Sequence, residues 1–311
     1  MENDTNILNA IGSTPMIELV RVVPEGCARI LVKLESHNPT GSMKDRMARA
    51  VVAGAVSRGA LTPGGTVVEY TGGSTGTSLA FVCAAMGYRL SIVTSDAFSR
   101  EKRDHMRALG ADVLELPSEG GRTTKALIQR MMAKAEELSL SSNAFFADQF
   151  NNSDAASGYA SMAEEIWDQS GRKVDAFVQS VGTAQCITGV AGALRKLNGA
   201  VHIAAVEPSE SPVLAGGAPG PHKIEGVGPG FIPPIWTADL ADEIVQISTA
   251  DAKDMARRLA KEEGLFAGTS SGANILAAIQ VAARLGAGNT VATIACDTGL
   301  KYLSTDLYTS A

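Results

Sequence analysis

The sequence predicts an α/β protein built on parallel sheets with helices on their faces. Three observations carry that reading. Short apolar runs alternate along the chain with longer stretches of helical periodicity. Several runs end in glycine-containing turns that lead straight into a helix, as at residues 71–76 and 181–189. Aromatic residues are only 5% while alanine and glycine are abundant, which suits helices packed closely on a sheet.

With 311 residues the chain has room for one large domain or two of ordinary size. Hydrophobic residues make up 45% and charged residues 19%, a balance that supplies a packed core and argues against disorder. The formal net charge of -6 argues against a nucleic-acid surface, which is normally basic. No apolar run approaches the roughly 20 residues that a membrane helix needs. Residues 1–9 are polar and acidic with no signal-peptide core, so a cytoplasmic protein is expected, with neither membrane nor nucleic acid as partner. Cys27, Cys83, Cys186 and Cys296 lie far apart and form no metal-type pair. The first two and Cys296 sit in or beside apolar runs and read as inert buried thiols. His37, His105, His202 and His222 have no ligand spacing, so no metal site is expected.

In chain order, residues 11–19 read as a turn leading into a short strand, and the apolar run 28–35 as the next strand. Pro39 and Gly41 mark the turn that follows, and the alanine-rich residues 47–58 read as a helix. Ser42 is expected to cap that helix, with Asp45 returning the bond three residues later in a capping box. Lys44 then falls in the first turn, at the positive end of the helix dipole, where a cation is misplaced and a carbonyl-attacking amine is favoured, although local spacing by itself reads it as an ordinary surface lysine beside a cap. Gly64 and Gly65 precede a strand at 66–70. Thr71, Gly72, Gly73, Ser74, Thr75 and Gly76 then turn into an apolar helix at 77–86; a turn of this kind can offer backbone N–H groups to an anion, and taken alone it reads as a tight turn without a ligand. A strand at 88–94, a charged helix at 100–109, a strand at 113–116 and a helix at 123–138 continue the alternation. Gln149 follows a short apolar run and by itself reads as a solvated loop residue. The strand 174–180 turns through Gly182, Thr183, Ala184, Gln185 and Cys186 into a helix. After a strand at 201–206 comes a long Gly/Pro-rich connection, residues 211–233, of a length that is usually functional. A strand at 243–248 and a helix at 250–263 follow, and Gly268 to Gly272 lead into a helix ending near Arg284, with Ser270 a candidate N-cap. Residues 290–295 form the last strand, and Asp297 and Thr298 follow it.

Asn38-Pro39-Thr40-Gly41-Ser42-Met43-Lys44-Asp45-Arg46 resembles the pyridoxal-phosphate lysine motif of the cysteine synthase family, which includes O-acetylserine sulfhydrylase and cystathionine β-synthase. The resemblance extends over residues 7–308. It recurs in Ile11-Gly12-Ser13-Thr14-Pro15, in Gln149-Phe150-Asn151-Asn152, in Gly220-Pro221-His222-Lys223-Ile224 and in Ser270-Ser271-Gly272-Ala273. It implies the fold-type II, tryptophan synthase β-like architecture, with two domains that each hold a mostly parallel sheet covered by helices. The smaller, mobile domain would span residues 38–150 and carry Lys44 and the substrate loop. The larger would span residues 7–37 and 151–311 and carry the phosphate loop and Ser270.

The resemblance further implies pyridoxal 5'-phosphate as cofactor, held by Lys44 as a Schiff base. Ser74 would meet its phenolic oxygen, Ser270 its pyridine nitrogen, and Gly182, Thr183, Ala184, Gln185 and Cys186 its phosphate. The substrate carboxylate would fall to Thr71, Gly72, Gly73, Thr75 and Gln149, with Gly226 at the mouth of the site. Two departures stand out. The family reads Thr-Ser-Gly-Asn-Thr-Gly where this chain has Gly72 and Ser74, and Gly-Thr-Gly-Gly-Thr where it has Ala184, Gln185 and Cys186. Ala184 and Gln185 must therefore adopt dihedrals that glycine normally takes. Cys186 drops a hydroxyl donor and adds a thiol beside the phosphate, a candidate reactive group.

The activity implied is β-replacement on an L-serine derivative, foremost cysteine synthesis from O-acetyl-L-serine and sulfide. The implied partners are the amino-acid substrate, a small nucleophile, a second copy of the chain and a serine acetyltransferase tail. Ser74 leaves open a serine or threonine ammonia-lyase-type β-elimination, or synthesis with another nucleophile. The altered phosphate loop leaves open a catalytically weak binding or regulatory homologue. A nicotinamide enzyme of the Rossmann type is disfavoured, because no Gly-x-Gly-x-x-Gly turn follows the first strand.

Overall fold

Runs of β-branched and aliphatic residues become strands, buried along most of their length where they lie at the centre of a sheet. In the computed structural model, which describes residues 6–121, 124–141 and 143–309, they are β1 (Met16–Glu18), β2 (Arg29–Leu34), β3 (Thr66–Tyr70), β4 (Arg89–Ser95), β5 (Asp112–Leu116), β6 (Ala144–Phe146), β7 (Ala176–Ser180), β8 (His202–Pro208), β9 (Glu243–Ile247) and β10 (Thr290–Ala295). The helices are α1 (Lys44–Ser57), α2 (Ser74–Met86), α3 (Arg100–Ala108), α4 (Lys125–Ser139), α5 (Asp154–Ser157), α6 (Ala160–Gln169), α7 (Gln185–Leu197), α8 (Thr249–Arg258) and α9 (Thr269–Leu285). Thr123, read above as the start of a helix, and residues 1–5 of the polar N-terminus lie outside the described residues. Among the described residues no helix is long and apolar enough to cross a membrane.

The chain divides into two compact units, one formed by the chain up to Ile11 with Asn38–Gly158, the other by Gly12–His37 and the chain from Tyr159 onward. The first unit holds a four-stranded sheet in the order β5-β4-β3-β6, parallel throughout. Parallel neighbours need crossover connections, and α2, α3 and α4 supply them. Val67, Val68, Ile92 and Val93 are fully buried, as expected for strands covered on both faces. Leu127, Met131 and Ala135 of α4 pack with Val68, Tyr70 and Val93 on one of those faces.

The second unit holds a six-stranded sheet in the order β1-β2-β10-β7-β8-β9. Only β1 runs antiparallel, against β2. Ile30, Val32, Val178 and Val206 of the sheet pack with Ile275, Ala278 and Val281 of α9. The helix read over 250–263 divides: α8 stops at Arg258 and a π turn, Leu259–Glu263, follows, ended by Gly264 in the left-handed region. That turn presents the Glu263 carboxylate to the backbone N–H groups of Val20, Arg21 and Val22.

Candidate active site

Lys44 is the first residue of α1 and half-buried. The capping box expected at Ser42 and Asp45 does not form. Met43 precedes the helix with helical dihedrals and gives no side-chain cap. The Ser42 hydroxyl accepts the Lys44 N–H at 3.2 Å. Asp45 turns the other way and accepts the N–H of Thr40 at 2.8 Å and its hydroxyl at 2.6 Å. The physical reason is burial: the Asp45 carboxylate is wholly removed from water, and Thr40 brings it two donors inside one tight turn. Thr40 in turn lies 3.3 Å from the Ser78 hydroxyl of α2, which joins the lysine turn to the helix after β3.

The order β4-β3-β6 makes β3 a switch point, because the chain leaves it toward β4 on one side while β6 pairs on the other. Crevices at the carboxyl ends of such strands are where α/β sheets bind ligands. Residues 71–75 follow β3 and Gln149 follows β6, so register alone brings them together. The Thr75 hydroxyl donates to Oε1 of Gln149 at 2.9 Å, and Nε2 of Gln149 donates to the Tyr70 carbonyl at 3.2 Å. Asp148, just before, adopts a positive φ of 45°, a conformation Asp tolerates better than most residues. The Thr71 hydroxyl accepts the Gly73 N–H at 3.1 Å, and α2 begins with no side-chain cap. The Gly76 N–H turns back to the Gly73 carbonyl at 3.2 Å, so the turn closes on its own backbone at the start of α2.

Beneath this turn lies Glu69, fully buried, which accepts the N–H groups of Tyr70 at 2.9 Å and Gln149 at 3.0 Å. Burial pushes its carboxyl up to about 8, against which the two N–H bonds act.

In the second unit β7 runs into α7 through Val181, Gly182, Thr183 and Ala184. Ala184 does adopt the dihedrals of a glycine, with φ 64° and ψ -5°, and stands at the N-cap without a side-chain bond to the helix. Gln185 lies inside the first turn and needs no special conformation. Gly182 is required by proximity: a Cβ there would lie 2.3 Å from the carbonyl oxygen of Gly226. The two segments are tied by the Gly228 N–H, which donates to the Val181 carbonyl at 2.9 Å. His222 clips the same loop, with Nε2 donating to the Gly228 carbonyl at 2.9 Å and Nδ1 accepting the Ile224 N–H at 3.3 Å. Cys186 is buried in the first turn of α7. Cys83 and Cys296 are buried too, and burial pushes the Cys83 thiol up to about 12, but Cys27 is only half-buried, so the reading of it as a buried thiol is corrected.

Ser270 is buried in the first turn of α9, whose N-cap is Gly268 rather than the serine itself. Three neighbours fix that turn. The Thr269 hydroxyl accepts the Glu225 N–H at 3.2 Å, and the Ser271 hydroxyl accepts the Cys296 N–H at 2.9 Å. Asn274 accepts the Ser180 N–H at 2.6 Å and donates to the Ile294 carbonyl at 2.9 Å. The ends of β7 and β10 are thereby held to the helix that carries Ser270. Asp297 accepts the hydroxyl of Tyr302 at 2.9 Å, whose ionisation burial and that carboxylate push well above the usual tyrosine range.

Residues 7–297 match the family described as pyridoxal-phosphate dependent enzymes. The chain belongs to that family. It is 43% identical to the cysteine synthase of Staphylococcus aureus (strain Mu50 / ATCC 700699) over 97% of this chain and 96% of the relative. Among solved structures, cysteine synthase (OASS) from Entamoeba histolytica superposes with a TM-score of 0.91 at 40% identity, covering 99% of this chain and 91% of the other. The O-acetylserine dependent cystathionine beta-synthase from Helicobacter pylori superposes with a TM-score of 0.90 at 35% identity, covering 99% and 100%. The chain is thus a pyridoxal-phosphate enzyme of fold-type II and of the cysteine synthase type.

The residues present fit that cofactor. The cradle at Gly182 would be filled by any Cβ, Ala184 opens α7 in a left-handed conformation with no side-chain cap, and the buried hydroxyls of Ser180 and Thr188 find no partner among the described residues. An uncapped helix start with nearby hydroxyl donors is suited to a phosphate dianion. Sequence reasoning passed over Glu69, Phe98 and Asn274. Asn274 could have been found as an amide among the small and apolar residues that open the last long helix; Phe98 leaves no local signal.

Proposed function

We propose that the chain catalyses β-replacement on an L-serine derivative, with acetate of O-acetyl-L-serine exchanged for sulfide to give L-cysteine. The observation that carries this reading is the turn after β3, where Thr71, Thr75 and the start of α2 gather beside Gln149 in the unit whose α1 starts with Lys44. The 43% identity to a protein named cysteine synthase supports it.

In this reading Lys44 holds the cofactor through Nζ. Once an incoming amino acid releases that amine, it removes the α-proton as general base. Thr71, Gly72, Gly73, Thr75 and Gln149 bind the substrate carboxylate, and Gly226 borders the entrance. The Ser74 hydroxyl meets the cofactor's phenolic oxygen, and Gly182, Thr183, Ala184, Gln185 and Cys186 take its phosphate. When bound, the cofactor supplies the electron sink that acidifies the α-hydrogen. Ser270 offers the ring nitrogen a hydroxyl at a positive helix end rather than a carboxylate, which disfavours a protonated ring and so favours β-chemistry over racemisation.

We further propose that the smaller unit, which carries Lys44 and the turn after β3, is the mobile domain. A cytoplasmic homodimer that binds a serine acetyltransferase tail completes the reading. Light scattering at twice the chain mass and a tail-peptide titration check those two points.

Equal amounts of L-cysteine and acetate from O-acetyl-L-serine and sulfide are the expected products. Pyruvate and ammonia from L-serine without any thiol would replace this reading by β-elimination, which the short hydroxyl of Ser74 favours. A relative named O-acetylserine dependent cystathionine beta-synthase makes an organic thiol the second nucleophile to assay.

A further inference from the structure

Gly72 in the turn after β3 and Gly76 in the first turn of α2 are both pressed by side chains of the segment that follows β4, Gly76 also by the methyl of Thr71. A Cβ built on Gly72 would lie 2.1 Å from Cδ1 of Phe98, 2.2 Å from Cε1 and 2.3 Å from Cγ. A Cβ built on Gly76 would lie 2.7 Å from Sδ and Cε of Met106. Phe98 ends the turn between β4 and α3, and Met106 lies on α3. The two contacts differ in kind. A thioether is a flexible end that can move aside. Phe98 is held from several directions. Its N–H donates to the Ser95 carbonyl at 3.2 Å, the Ala97 N–H donates to the Ser95 hydroxyl at 3.2 Å, and Asp96 accepts the Ser118 N–H at 2.8 Å. The ring packs on the cluster that contains Tyr70, Phe146 and Phe150. The ring is partly buried against that cluster, and a rigid aromatic body yields space for a new side chain less readily than a thioether does. Gly73, by contrast, has nothing within 4 Å of its Cβ direction, so the turn is open on one side and walled by an aromatic ring on the other.

We infer that Phe98 is a specificity-determining residue, its ring forming the wall against which the carboxylate end of the amino-acid substrate is seated. The identity of the ligand rests on the function proposed above; the wall itself rests on the Gly72–Phe98 contact. With Gly72 pressed against the ring, the carboxylate is met there by backbone N–H groups and by the hydroxyl of Thr71. The ring keeps water from one side of those bonds, which strengthens them. A side chain added at 72 runs into the ring, so it strains the turn and displaces the wall on which the carboxylate is seated.

The test compares the parent with Gly72→Ser, Phe98→Ala and the double variant, with Phe98→Leu as a bulk-preserving control. Thermal unfolding reads the contact without turnover, and KM and kcat for O-acetyl-L-serine read its role. Gly72→Ser is expected to lower the melting midpoint by about 4 °C or more and to raise KM by about tenfold with kcat changed less than about threefold. Adding Phe98→Ala to Gly72→Ser recovers about half the midpoint loss and lowers KM about fivefold relative to Gly72→Ser alone. Phe98→Ala alone raises KM about fivefold, and Phe98→Leu about twofold. A double variant no better than Gly72→Ser overturns the inference. Coupled midpoints with KM unmoved in every variant also overturn it, since the contact would then be structural only. A parent that takes up no pyridoxal phosphate refutes the proposed function instead, is seen before any variant is made, and removes the inference with it.

Discussion

Thr75 donates its hydroxyl hydrogen to Oε1 of Gln149 over 2.9 Å, joining residues 74 apart in the chain at the ends of the adjacent strands β3 and β6. The bond orients the Gln149 amide, whose nitrogen is turned toward the Tyr70 carbonyl. Thr75→Val keeps the shape and deletes the donor. Leaving a buried acceptor without that donor costs about 1–3 kcal/mol. The expected result is a KM for O-acetyl-L-serine raised about tenfold, with kcat changed less than about threefold. Steady-state kinetics check it, and an unchanged KM removes Gln149 from the carboxylate site.

Glu69 makes stability depend on pH in an unusual direction. Its folded-state value is raised from 4.5 to about 8, so the folded protein favours the protonated carboxyl. A raised value means that the stabilisation is fully present below the unfolded value and is lost as pH rises through the folded one. The melting midpoint should therefore fall between about pH 5 and pH 8 and then level off. Glu69→Gln, neutral at every pH, should flatten that slope. A wild-type midpoint that rises across the same window contradicts the assignment.

Ala184 holds a left-handed conformation that costs a non-glycine residue about 1 kcal/mol. Ala184→Gly should raise the melting midpoint of the cofactor-free protein by about 2 °C, the glycine's extra unfolded entropy offsetting part of the relief. Ala184→Val, β-branched, should lower it and weaken pyridoxal-phosphate binding about tenfold, as read by a fluorescence titration. Equal midpoints for all three proteins would mean that the loop relaxes out of this conformation.

Ser270→Asp places a carboxylate where the proposed function puts the ring nitrogen. The expected outcome is β-replacement slowed about tenfold or more, with racemisation of an L-amino acid becoming measurable by chiral chromatography. A variant that racemises nothing and keeps its β-replacement rate would show that Ser270 does not face the ring.

The fold class was legible because its signals are local. The alternation of apolar runs with helical periodicity at residues 66–95 and 176–206 appears in the structure as β3-α2-β4 and β7-α7-β8. Motif residues separated by long stretches meet because strand order, not sequence, sets their neighbours, as with Thr75 and Gln149. The capping box at Ser42 and Asp45 was misread because Thr40 competes for the Asp45 carboxylate once it is buried. Ala184 posed a conformational question that composition cannot answer, and the backbone answers it with a φ of 64°. Gly72 read as a lost side chain, but its cause lies 26 residues further on in the ring of Phe98, a contact that no periodicity announces.

The most direct test of the central claim is the visible absorption spectrum of the purified protein before and after addition of O-acetyl-L-serine, alongside Lys44→Ala. The account predicts a cofactor band in the parent that shifts to longer wavelength with the substrate, and in Lys44→Ala neither that shift nor any turnover. A parent that shows no band after reconstitution with pyridoxal phosphate, or a Lys44→Ala variant that remains fully active, would contradict it.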